Sequence, residues 1–302
     1  MRVFLTGASG LLGGLLIDRL LARGDEVRGL SRRPPASSRA GLTWIAGDVN
    51  SAGEWQRHLE GTDAVVHLAG ESLAARRWTA RQKERIQHSR VAATRNLVGA
   101  IAAATARPRA LISASGVHIY RTGSDEELDE GAPTGSGFLA ELCWQWEAEA
   151  GRATDAGARV VYLRMGVVLS RRGGALPRMR TAFSLFVGGP LGDPGAWFPW
   201  VHEDDAVGLI LHALEGHGLA GPVNVVAPEP VRMRDFARGL GRALHRPALL
   251  PVPALALRLL LGEMSSVVNP GLKVVPRAAL AAGYRFAFPA LDDALAAVAG
   301  GD

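Results

Sequence analysis

Thr6-Gly7-Ala8-Ser9-Gly10-Leu11-Leu12-Gly13 follows directly on the apolar run Arg2 to Thr6. It opens a segment, Leu11 to Arg23, with Leu12, Leu15, Leu16, Leu20 and Leu21 at helical spacing. Between a strand and a helix, three glycines have separate physical tasks. Gly7 permits a tight turn, Gly10 lets the backbone approach a ligand, and Gly13 lets the helix lie close to the strand. The first turn of that helix, with Ser9, Leu11 and Leu12 around it, presents free N–H groups and a positive dipole end to phosphate. The loop therefore predicts a dinucleotide-binding turn at the start of the chain.

The segments beyond it repeat the pattern. Short apolar runs at Glu26 to Ser31, Thr43 to Ala46, Ala64 to Leu68, Ala110 to Ser113 and Arg159 to Leu163 read as strands. Arg81 to Ala104 and Gly137 to Ala153 read as helices. Strand and helix alternating at this spacing predict an α/β fold, a Rossmann-type doubly wound parallel sheet. From Arg171 the pattern loosens around Gly173-Gly174 and Gly188-Gly189-Pro190. Further helices are expected at His202 to Leu214, Met233 to Leu244 and Ala290 to Val298, with a strand at Val223 to Val226. The expected division is residues 1–170 for the dinucleotide domain, with some later segments returning to it. Residues 171–302 form a smaller C-terminal α/β substrate-side region.

The tip of the second strand decides which dinucleotide. An NAD site carries Asp or Glu there to accept from the ribose 2′-hydroxyl. This chain has Ser31-Arg32-Arg33. Arginine pairs with a 2′-phosphate in fork geometry, so NADP(H) is the expected cofactor. The alternative is that both arginines are solvated surface groups. Asp48-Val49 after the third strand places an acid where it can accept from the adenine amine, or where it can cap a turn. Leu68-Ala69-Gly70 ends the fourth strand with small residues that leave room for the cofactor.

Composition narrows the function classes. The 302 residues are 48% hydrophobic and 21% charged, ordinary for a globular enzyme. A single cysteine, Cys143, leaves no internal disulfide framework. The net charge of +5 is almost all arginine, scattered among acids, so no nucleic-acid surface is expected. No window reaches the roughly 18 uninterrupted apolar residues of a membrane helix. The most apolar stretch, Ala248 to Gly262, is broken by Pro251, Pro253 and Arg258. A cytoplasmic protein, monomeric or homodimeric through its long helices, is the expectation. His202-Glu203-Asp204-Asp205 is consecutive, so its side chains fan around a helix start and no metal site is expected.

Taken together, these features resemble the extended short-chain dehydrogenase/reductases, in their epimerase/dehydratase branch. The resemblance sharpens at Leu68 to Ser72, Arg77-Trp78-Thr79 with Lys83, Ser89-Arg90, Ser113-Ala114-Ser115, Phe138 to Glu141 with Cys143, Trp146-Glu147, and Pro199 to His202. It points to an "epimerase family protein" subgroup with a small C-terminal domain of unknown function, matched by Pro276 to Gly283 and the last helix. It adds Glu71 and Arg90 to the expected cofactor-binding set.

One departure is large. The superfamily carries Tyr-x-x-x-Lys on the helix after the fifth strand, where tyrosine moves the proton and lysine lowers its pKa and holds the ribose. The tyrosines here are Tyr120, Tyr162 and Tyr284, followed four residues later by Ser124, Gly166 and Phe288. Phe138 or Leu139 fills the tyrosine region, and Cys143 lies in the next turn. Ser115 matches the superfamily's catalytic hydroxyl, or is a strand-end serine satisfying backbone. Tyr120 is the candidate to supply a proton. Cys143 reads as packing, and Glu147 as a partner for Arg90 or another arginine. Two functions follow: an NADP(H)-dependent oxidoreductase or epimerase acting on a small carbonyl or sugar-type substrate, or an NADP(H)-binding regulator or scaffold without catalysis.

Overall fold

The computed structural model describes all residues except 37–38, 75, 124, 187, 249–261, 265–270 and 300–302. Most of the apolar stretch between Ala248 and Gly262 thus lies outside the described residues. The first half of the chain forms β1 (Arg2–Thr6), α1 (Leu11–Ala22), β2 (Glu26–Ser31), β3 (Leu42–Ala46), β4 (Ala64–His67), α2 (Ala80–Ala103), β5 (Ala110–Gly116), α3 (Phe138–Gly151) and β6 (Arg159–Met165). The second half adds β7 (Val167–Leu169), α4 (Leu176–Ser184), β8 (Trp197–Phe198), β9 (Trp200–His202), α5 (Glu203–Glu215), β10 (Gly221–Val225), β11 (Val231–Arg232), α6 (Met233–Ala243), α7 (Arg277–Ala281) and α8 (Leu291–Ala299).

Among the described residues the main sheet runs β3-β2-β1-β4-β5-β6-β10, with every neighbouring pair parallel. This is the doubly wound order that the alternation of strands and helices predicts. Period-two alternation sorts the side chains of β1 between two layers. Val3 and Leu5 pack with Leu16 and Leu20 of α1 and Leu209 and Ile210 of α5. Phe4 faces the other way, onto Trp55, Leu97 and Ile101 of the α2 side. Both faces are covered, which is why these strands read as continuous apolar runs. The seventh strand, β10, comes from beyond residue 170 and lies against β6.

The C-terminal layer has its own apolar cluster. Phe198 and Trp200 pack with Leu176 and Phe183 of α4, Met233, Phe236 and Leu240 of α6, and Leu291 and Leu295 of α8. Its strands are two and three residues long and, among the described residues, pair only with each other, β8 with β11 and β7 with β9. Such short strands leave no readable periodicity, and α4 falls in the stretch where the sequence pattern loosens. β5 also extends past its apolar run, because Ser115 and Gly116 stay in register with Arg164 and Met165.

One carboxylate fastens the C-terminal segment to the sheet. Asp205, in the first turn of α5, is 1% exposed. It accepts hydrogen bonds from the Tyr284 hydroxyl at 3.1 Å, the Ala287 amide at 2.7 Å and the Phe288 amide at 2.9 Å. The Phe288 ring lies 3.8 Å from that of His202. Its neighbour Asp204 instead pairs with Arg19 of α1 at 2.6 Å. Without that carboxylate the part-buried bonds from the Ala287 and Phe288 amides are lost, and the Tyr284 hydroxyl keeps only the Asp205 carbonyl at 3.3 Å. We expect Asp205→Ala to lower the unfolding free energy in urea by about 3 kcal/mol or more. A loss below about 1 kcal/mol would mean that aromatic packing alone holds this segment.

Candidate functional site

The sheet reverses direction of growth between β1 and β4, and a crevice opens at their C-terminal ends, the position where doubly wound sheets take ligands. The crevice is a cleft of about 270 Å³. Its floor is the glycine loop with Thr6, Gly7, Ser9 and Gly10. Its walls are the β2 tip with Leu30, Ser31 and Arg32, the β3 loop from Gly47 to Asn50, and the β4 end from Leu68 to Glu71 with Ser89.

Steric limits fix the floor. Gly7 has φ +69, and a Cβ there would lie 2.7 Å from the backbone carbon of Leu68. A Cβ on Gly13 would lie 2.2 Å from the Gly7 carbonyl oxygen. The Gly10 amide donates to that same carbonyl at 2.9 Å, which closes the turn. Gly10 caps α1 with no side-chain acceptor, and the first hydrogen bond within the helix runs from the Gly14 amide to the Gly10 carbonyl. The amides of Leu11, Leu12 and Gly13 therefore have no partner within the helix. This is an anion cradle of backbone N–H groups.

Most of the expected cofactor-binding residues come together here. Gly7, Ser9, Gly10, Ser31, Arg32, Asp48, Val49, Leu68, Ala69, Gly70 and Glu71 line the cleft. Leu11 and Leu12 begin α1 beside it, and Gly13 lies beneath the turn. Arg32 and Arg33 are exposed, and no carboxylate pairs with either among the described residues. Arg33 turns its amide to the Ser31 hydroxyl at 3.2 Å. Asp48 uses Oδ1 as a turn cap for the Asn50 amide at 3.0 Å, while still lining the cleft. The expected cofactor set left out Thr6, Leu30, Gly47 and Asn50, which reach the cleft from strand ends and turns, and Ser89, which reaches it from α2.

Behind the cleft stands His67, fully buried. Thr94 donates its hydroxyl proton to the Arg90 carbonyl at 2.6 Å, so His67 Nε2, 3.0 Å from Thr94 Oγ1, is the donor of that pair. Nδ1 then accepts from Thr6 Oγ1 at 2.6 Å. Burial, with help from the Arg90 charge, pushes His67 down from 6.5 to about 4.

Ser115 and Tyr120, the expected catalytic residues, lie at and just beyond the end of β5. Ser115 donates to Glu147 Oε1 at 2.6 Å. Arg164 grips Glu147 from both sides, Nε to Oε1 at 2.9 Å and Nη2 to Oε2 at 2.8 Å. Glu147 thus holds Arg164 and Ser115, not Arg90. Tyr120 is 1% exposed. Its hydroxyl donates to Asn224 Oδ1 at 2.6 Å and accepts from Arg164 Nη1 at 2.8 Å. Burial, the leading cause, pushes this phenol up to about 12. Cys143 packs against Gly116, and burial pushes its thiol up to about 12 as well. Trp146 is buried and Trp144 is 60% exposed, as two residues apart on a helix require. At the start of α3, Trp78 meets Phe138 edge-on at 5.3 Å, and Lys83 Nζ lies 5.2 Å from the Phe138 ring.

The comparisons agree with this geometry. The NAD dependent epimerase/dehydratase family matches residues 3–226. The chain belongs to that family. A domain of unknown function, DUF1731, matches residues 252–298. The epimerase family protein SDR39U1 of Bos taurus is 40% identical over 300 residues, covering 98% of each chain. The chloroplastic SDR39U1 homolog of Arabidopsis thaliana is 40% identical, covering 99% of this chain and 86% of its own length. The crystal structure of human SDR39U1 with NADPH superposes with a TM-score of 0.88 at 36% identity, covering 99% of both chains. No helix among the described residues is long and apolar enough to cross a membrane.

The histidine behind the cleft gives a pH signature. The unfolded chain takes a proton on His67 near 6.5 and the folded chain only near 4, so folding excludes a proton between these values. This contribution is fully present above 6.5 and is lost as pH falls towards 4, in total roughly 3 kcal/mol. In urea titrations at about pH 7.5 and about pH 4.5, His67→Asn should narrow the stability difference by most of that amount. An unchanged difference would show that His67 is not the group excluded from protonation.

Proposed function

We propose that this chain binds NADP(H) in the β1–β4 cleft and acts as an oxidoreductase or epimerase-like enzyme on a small carbonyl or sugar-type substrate. The observation that carries the reading is the position of Arg32. Arg32 lines the cleft beside Ser31 at the β2 tip, where an NAD site would carry an acid, and no carboxylate forms an ion pair with it among the described residues. A 2′-phosphate supplies the charge that this wall lacks. The NADPH bound to human SDR39U1 supports the choice. When bound, the cofactor supplies hydride exchange at its nicotinamide ring.

The chain's own residues then define what the site does. The glycine loop and the amides of Leu11 and Leu12 hold the pyrophosphate, and Asp48, lining the cleft at the end of β3, accepts from the adenine amine. Ser115 holds the substrate oxygen. Glu147, fixed by Arg164, keeps the Ser115 hydroxyl in one orientation. Tyr120 sits with both hydroxyl valences engaged, so its part is to position Arg164 rather than to exchange a proton with substrate.

A second reading has its own observation. Phe138 or Leu139, with Cys143 in the next turn, stands where a tyrosine and a lysine would serve catalysis, and burial holds the Cys143 thiol up at about 12. A non-catalytic NADP(H)-binding regulator or scaffold would look the same in the cleft.

Titration of nucleotide-stripped protein with NADPH and NADH, followed by tryptophan quenching, separates the possibilities. NADPH should bind at least about tenfold more tightly than NADH. Arg32→Asp should weaken NADPH by about tenfold or more and leave NADH within about threefold. Equal losses for both would remove the 2′-phosphate role from Arg32. Consumption of NADPH with carbonyl or nucleotide-sugar compounds, abolished in Ser115→Ala, would establish catalysis; tight binding without turnover would favour the regulator.

A further inference from the structure

At the opposite end of α5 from His202, three side chains of metal-ligating type converge. His212 and Glu215 are three residues apart, so they share one face of the last turn of the helix. The chain then turns back at Gly216-His217-Gly218, with φ 99, 29 and 72. A positive φ is readily adopted by glycine but strains histidine. That turn lays the His217 ring on the His212 ring, with centroids 4.2 Å apart and planes 13° apart. His217 Nε2 lies 2.8 Å from Glu215 Oε2. One donor atom from each of the three side chains lies within 4.8 Å of the other two. Among the described residues no other three His, Cys or carboxylate side chains meet this closely.

Neighbouring groups orient these side chains as ligands. His212 Nε2 is 3.1 Å from the Ala282 carbonyl oxygen. A carbonyl only accepts, so Nε2 carries the hydrogen and Nδ1 keeps a free lone pair. A backbone carbonyl on one ring nitrogen is the usual support of a metal-bound histidine. The Tyr284 ring packs edge-on to His212 at 5.4 Å. Arg23, just after α1, holds Glu215 Oε1 at 2.7 Å and leaves Oε2 turned to His217. Two imidazoles and a carboxylate suit zinc-class ions, whereas calcium and magnesium take oxygen ligands. Zinc holds its ligands at about 2.0–2.2 Å, so tetrahedral donors sit ~3.4 Å apart. Reaching that spacing takes side-chain rotation, open to Glu215 and His217, which are 42% and 47% exposed. We propose that His212, Glu215 and His217 bind one divalent ion of the zinc class, with water completing its coordination. None of the three lines the β1–β4 cleft. The ion ties the end of α5 to α1 through Arg23 and to the end of α7 through Ala282, so it stabilises the fold and takes no part in cofactor binding.

Chelator-treated full-length chain would be titrated with zinc chloride by calorimetry. Wild type should bind one ion per chain with Kd of about 10 μM or tighter. Zinc at about 100 times Kd should raise its Tm by about 3 °C or more. His217→Asn, which suits a left-handed backbone, and Glu215→Gln should each weaken zinc by about tenfold or more. His245 is an exposed histidine that also has a positive φ, 53. His245→Asn should therefore leave zinc affinity within about twofold. Calcium chloride should not bind below about 1 mM. Zinc affinity unchanged in either site variant, or an equal loss in His245→Asn, would overturn the assignment. So would wild-type protein that bound no zinc below about 1 mM or bound calcium as tightly.

Discussion

A side chain on Gly13 would put its Cβ 2.2 Å from the carbonyl oxygen of Gly7, and the rest of the cleft follows from that lack of space. The start of α1 can press against the turn only because nothing intervenes. Gly7 in turn adopts φ +69 to pass the end of β4, where a Cβ would strike Leu68. These two approaches aim the amides of Leu11 and Leu12 along the crevice between β1 and β4. The fold contributes the crevice through its strand order, but the glycines determine that backbone donors, not side chains, form its floor.

This constraint was legible in the sequence because glycine spacing between a strand and a helix has few other uses. The parallel sheet was legible for a related reason. β1 and β4 are buried on both faces, so they stand out as unbroken apolar runs bounded by polar or glycine residues. What lay hidden were interactions between distant segments. Asp205 reads as an acid suited to a helix N-terminus, yet its carboxylate is spent on Tyr284, Ala287 and Phe288, about eighty positions away. The C-terminal layer was obscure because β7, β8, β9 and β11 are too short to carry a period.

The candidate site divides the same way. Its cofactor side is local in sequence, each wall being a strand end and the loop after it. The side that holds Ser115 and Tyr120 is not. Ser115 from β5, Glu147 from α3, Arg164 from β6 and Asn224 from β10 meet only because four elements converge, and no spacing in the chain foretells the meeting. Tyr120 illustrates the consequence. Beside the β5 serine it looks like a proton donor, but its 3₁₀ turn carries it inward to Arg164 and Asn224.

That convergence also limits what Ser115 can do. Its proton is directed at Glu147, whose two oxygens are already held by Arg164, so the carboxylate is charge-compensated. The remaining valence of the hydroxyl is a pair of acceptor sites. In this arrangement Ser115 receives a hydrogen bond from a substrate hydroxyl without any rearrangement. Polarising a carbonyl requires it to turn its proton away from Glu147, at the cost of a hydrogen bond to a charged acceptor. The geometry at rest is therefore matched to the alcohol form of a substrate. Reduction of a carbonyl needs either that rotation or a donor brought by the substrate itself.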